Sequence, residues 1–121
     1  MEREAKPEIV LLHNPRCSKS REALALLQER GVAVRERRYL EEPLTREELA
    51  LLCRRLGRPP GEWVRRGEAA FAEAGLSAGS SEAEILDAMA RHPILIERPI
   101  ALRGERAVLG RPPEEVLHLL A

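Results

Sequence analysis

The chain predicts an α/β fold whose mixed sheet is laid down as strand-helix-strand, a helical insertion, then strand-strand-helix. Three observations carry this. A short apolar run, Ile9-Val10-Leu11-Leu12, precedes leucines and alanines at helical spacing. Helix-start signals follow one another through the middle of the chain. Near the end, two short strand-like runs flank Gly104-Glu105.

In order, residues 9–12 read as a short, fully buried strand. Residues 21–28 carry Ala23, Leu24, Leu26 and Leu27 at helical spacing, and Gly31 ends that helix. Residues 32–39 alternate well enough for a second strand, parallel to the first because a helix separates them. Thr45-Arg46-Glu47-Glu48 is a capping box ahead of Leu49, Leu52 and Leu56, and Gly57 closes that helix. A short helix is expected over 62–66 around Trp63, and a helical piece over 69–76. Ser81-Glu82-Ala83-Glu84 starts a helix that stops before Pro93. Pro93-Ile94-Leu95-Ile96 is a strand candidate, 100–103 and 106–109 form a hairpin, and Pro112-Pro113-Glu114-Glu115 opens a final helix. This layout is that of a thioredoxin-like sheet, in a single domain spanning 1–121.

The 121 residues suit one compact domain, and 44% hydrophobic residues can build its core. A third of the chain is charged, yet the formal net charge is zero. That balance argues against nucleic acid and acidic membranes as partners. No apolar run approaches the roughly 18 residues of a membrane span, and the charged start at 1–7 lacks a signal-peptide apolar region. Two cysteines do not make a disulfide framework. The cytoplasm is the expected setting, with Cys17 a free thiol. A monomer is expected.

Cys17 is the leading candidate for chemistry. It sits in His13-Asn14-Pro15-Arg16-Cys17-Ser18-Lys19-Ser20-Arg21, at a strand-to-helix turn. Backbone N–H groups and the helix dipole favour negative charge there. With Arg16, Lys19 and Arg21 nearby, the thiol is expected to ionise below its usual value of roughly 8.5. Cys53 lies inside an amphipathic helix and reads as packing. His13, four residues before the thiol, can tune it or end the strand. Ser20, one helical turn after Cys17, can donate a hydrogen bond to the thiolate. Trp63 reads as a packing anchor.

Across 9–120 the chain resembles the glutaredoxin-linked arsenate reductase family. The motif around Cys17 carries most of the resemblance. Tyr39-Leu40-Glu41-Glu42-Pro43-Leu44, His92-Pro93-Ile94-Leu95-Ile96-Glu97-Arg98-Pro99-Ile100 and Leu109-Gly110-Arg111-Pro112 add to it in order. The resemblance implies a catalytic Cys17, with His13 and Ser20 beside it. It implies that Arg65, Arg98 and Arg111 bind the oxyanion, with Arg66 an alternative to Arg65. It also places a cis proline at Arg98-Pro99, which costs only about 0.5–1 kcal/mol for an X–Pro bond.

The implied activity is reduction of arsenate to arsenite through an adduct on Cys17. Position 20 is serine, so there is no C-x-x-C and an outside thiol must complete the reaction. The resemblance makes that thiol glutathione with glutaredoxin; a thioredoxin or another small thiol is the substitute. The electrons come from thiols, so no bound cofactor or metal is expected; two lone cysteines and His13, His92 and His118, far apart, give no zinc spacing. A phosphatase-type cradle needs cysteine, five residues, then arginine; here that place holds Ala23. Two other classes stay open. One is a non-enzymatic relative binding a protein such as RNA polymerase; the other is a thiol reductase of another substrate.

Overall fold

In the computed structural model, residues 8–120 are described; the charged start at 1–7 lies outside them. The chain divides into two compact units, one of residues up to 38 and from 98 onward, the other of 39–97.

The first unit holds β1 (Ile9–Leu12), α1 (Ser18–Glu29), β2 (Val34–Arg37), β3 (Ile100–Arg103), β4 (Arg106–Leu109) and a C-terminal 3-10 helix, Pro113–Leu120. The sheet order is β2-β1-β3-β4. β1 runs parallel to β2, as a strand-helix-strand unit demands. It runs antiparallel to β3, and β3 and β4 form the expected hairpin. The fold is thioredoxin-like, as the layout predicts.

Register explains the core. Ile9 faces Val34, Leu11 faces Ala101, and Ala101 faces Val108. Paired residues share a face, and α1 covers this one with Ala23 and Leu27. The C-terminal helix adds Val116 and Leu119. Its 3-10 form has a reason in the sequence. The buried residues are Pro113, Val116 and Leu119, each three apart. A helix with three residues per turn lines these up on one side.

The second unit contains α2 (Arg46–Leu56), a 3-10 turn at Pro60–Glu62, α3 (Ala69–Glu73), α4 (Glu82–Arg91) and a 3-10 turn at Pro93–Leu95. Both capping boxes form: the Thr45 and Ser81 hydroxyls accept from the N–H groups of Glu48 and Glu84, whose carboxylates accept in return. α2 packs on α4 through an apolar stripe that includes Leu49, Leu52, Ile85 and Met89.

Two expectations for this unit need correction. Pro93-Ile94-Leu95-Ile96 is not a strand. The N–H groups of Leu95 and Ile96 turn back to the carbonyls of His92 and Pro93, leaving Ile96 alone to bridge Val64. An apolar run of this length does not distinguish strand from buried turn. Residues 62–66 are likewise not a helix around Trp63. Helical turn ends at Glu62; beyond it the Trp63 carbonyl accepts from Glu97 and the Arg65 N–H donates to Leu95. That pairing draws on distant residues, which local propensity does not report. Trp63 is 1% exposed and its indole N–H donates to the Arg58 carbonyl, so it packs as expected.

Candidate functional site

β1 ends at Leu12, and the chain turns through His13, Asn14, Pro15 and Arg16 before α1 begins. Asn14 shapes the turn. Its side-chain oxygen accepts from the Arg16 N–H at 3.0 Å, and its carbonyl accepts from the Cys17 N–H at 2.9 Å. The Asn-Pro pair is a turn signature legible in the sequence. Cys17 therefore becomes the N-cap of α1, with extended backbone (φ −95°, ψ 122°). An N-cap side chain faces the unsatisfied N–H groups of the first turn.

Cys17 is 9% exposed. Burial pushes its pKa up, but the Ser20 N–H, the charge and side-chain hydrogen bond of Arg98, and the Lys19 N–H outweigh burial and hold the thiol below its ordinary value. The positive charge acting on the sulfur is thus that of Arg98. Lys19 acts through its backbone, and Arg21 turns its guanidinium onto the Pro15 carbonyl at 2.9 Å. Sequence proximity pointed to Arg16, Lys19 and Arg21; the β1–β3 pairing supplies Arg98 instead. With Leu12 opposite Ile100, the residues just before β3 lie beside those just after β1.

His13 is 3% exposed, and its N–H donates to the Arg37 carbonyl at the end of β2. Its ring Nδ1 stands 2.7 Å from the Ser20 hydroxyl, which also accepts from the Asn14 N–H. Burial lowers the His13 pKa, with Glu36 opposing and Arg38 and Arg21 assisting. The imidazole is neutral at neutral pH. Ser20 was expected to reach the thiolate through its hydroxyl. The hydroxyl instead serves His13 and Asn14, and it is the Ser20 backbone N–H that helps lower the Cys17 pKa.

Arg111 follows β4, and its Nε donates to the Arg98 carbonyl at 2.9 Å. Both Arg98-Pro99 and Arg111-Pro112 are cis; only the first was anticipated. Cys17, His13, Ser20, Arg98 and Arg111 therefore belong to one unit. Arg65 belongs to the other, where it pairs with Glu68 at 2.7 Å and Glu97 at 3.7 Å. Arg66 donates to the Gly61 carbonyl and lies over the Phe71 ring. Cys53 is half-buried, and burial pushes its thiol up with help from Glu82. Among the described residues, no group of three or more His, Cys, Asp or Glu side chains is arranged to hold a metal, and no helix is long and apolar enough to cross a membrane.

Three comparisons bear on this arrangement. The sequence model of the ArsC family matches residues 12–119. An arsenate reductase of Neisseria meningitidis serogroup A is 42% identical over 112 residues, covering 91% of this chain and 96% of that protein. The uncharacterized protein YfgD of Escherichia coli is also 42% identical, over 115 residues, covering 93% and 97%. Among solved structures, an arsenate reductase from Vibrio cholerae superposes with a TM-score of 0.88 at 42% identity, covering 94% of this chain and 98% of that one.

Proposed function

The chain belongs to the ArsC family, and from that premise we propose that it reduces arsenate to arsenite, with Cys17 as nucleophile and an outside thiol as reductant. The observation that carries this is the setting of the sulfur: two backbone N–H donors and one guanidinium favour its anion against burial.

The Cys17 thiolate attacks arsenic and an arsenate oxygen leaves as water, giving a thiol-arsenate adduct. Arg98 and Arg111 bind the oxyanion; guanidinium groups stay charged at working pH and match tetrahedral anions. Neutral His13 and the Ser20 hydroxyl hold the turn in shape, so donors aimed at the sulfur need not reorganise. Two outside thiols then supply two electrons and leave as a disulfide, while arsenic falls from the +5 to the +3 state. Hydrolysis frees arsenite and restores Cys17. Glutathione with glutaredoxin is the proposed donor pair, with thioredoxin as the substitute. The reaction needs no bound cofactor.

The test is a coupled assay with arsenate, glutathione, glutaredoxin and an NADPH-dependent reductase, repeated with thioredoxin. Arsenate-dependent NADPH oxidation is expected, abolished by Cys17→Ser and retained by Cys53→Ser. No oxidation above background with any donor sinks the substrate. Activity surviving Cys17→Ser sinks the nucleophile.

A further inference from the structure

Gly110 lies between β4 and the C-terminal 3-10 helix, immediately before Arg111, and it is buried. Its N–H donates to the Pro99 carbonyl at 2.8 Å. The next residue, Arg111, donates from Nε to the Arg98 carbonyl at 2.9 Å and from its N–H to the Leu109 carbonyl at 2.9 Å. Two consecutive residues thus hold two consecutive carbonyls. The Arg98 carbonyl belongs to the residue whose guanidinium helps hold the Cys17 thiol below its ordinary value.

The close approach has no room for a side chain. A Cβ at position 110 would stand 2.8 Å from Pro99 Cγ, 2.9 Å from Val116 Cγ1 and 3.3 Å from the Pro99 carbonyl oxygen. Neither near carbon is the loose end of a flexible chain. Pro99 Cγ is tied to the backbone through its ring, and Val116 is stiff at χ1 and fully buried. The backbone of one segment must yield.

We propose that Gly110 is a positioning residue for Arg98: its bare Cα lets the 109–111 turn close on Pro99 and so fixes where the Arg98 guanidinium stands. The proposal rests on Cys17 being the reacting group and is independent of the substrate.

The experiment reads the Cys17 thiolate directly, as the rate of iodoacetamide alkylation against pH in a Cys53→Ser background. Gly110→Ala is expected to raise the midpoint and to lower the rate at neutral pH by about three- to tenfold, one pKa unit being tenfold in thiolate. Leu119→Ala truncates the same core from the same 3-10 helix. It is expected to lower the melting temperature with the midpoint unchanged.

Gly110→Ala can also disrupt folding through its clash with Val116. The double variant Gly110→Ala/Val116→Ala removes that clash and keeps the one with Pro99. It is expected to fold and to keep the raised midpoint. A folded double variant with the parental midpoint overturns the proposal, as does a Leu119→Ala midpoint shift equal to that of Gly110→Ala. No arsenate-dependent turnover beside a low parental midpoint sinks the substrate and leaves the positioning role intact, whereas Cys17→Ser retaining arsenate reduction removes the premise of both.

Discussion

At Cys17 two opposing effects meet on one atom. Burial favours the neutral thiol, while amide N–H groups and a guanidinium favour the anion. A few donors prevail because they are already aimed and are little screened by water. His13 shows the reverse balance: burial keeps it neutral, and its depressed pKa ties stability to pH. As pH falls, the unfolded chain takes up the proton first, near its ordinary value of about 6.5. The stability present above that value is then lost as pH drops through the lower folded value. Urea midpoints at about pH 7.5 and about pH 5.5 measure this. His13→Asn is expected to lose part of the pH dependence, and an undiminished dependence would show that other groups carry it.

Helix termini set the element scale. The Thr45 capping box satisfies two donors that α2 would otherwise leave to water. Thr45→Ala is expected to destabilise the protein by about 1 kcal/mol, read as a lower urea midpoint with unchanged slope. Thr45→Ser should restore most of it; a Ser variant no better than Ala would point away from the cap. The C-terminal 3-10 helix ends differently. Its Leu119 and His118 carbonyls accept from the guanidinium groups of Arg103 and Arg106, at 2.7 Å each. The hairpin presents these arginines to a helix end that needs donors.

For the molecule as a whole, the apolar core of the sheet-bearing unit joins Ile9, Leu11, Ala23, Leu27, Ala101, Val116 and Leu119. Leu27→Ala opens a cavity among side chains with little freedom to collapse, and about 2–5 kcal/mol should be lost. Thermal unfolding should show a fall of several degrees per kcal/mol; a change under about 1 kcal/mol would mean the site relaxes. What the chain alone determined is what neighbours in sequence can impose: the strand before Cys17, the helix after it, both capping boxes and the hairpin at Gly104-Glu105. Helical spacing, caps and turns act over a few residues, so they survive in a one-dimensional reading. Tertiary structure decided which of many arginines meets the sulfur, which group holds the Ser20 hydroxyl and why position 110 bears no side chain. Those depend on distance through space, and only pairing of Leu12 with Ile100 and of Ile100 with Leu109 makes residues 17, 98 and 110 neighbours.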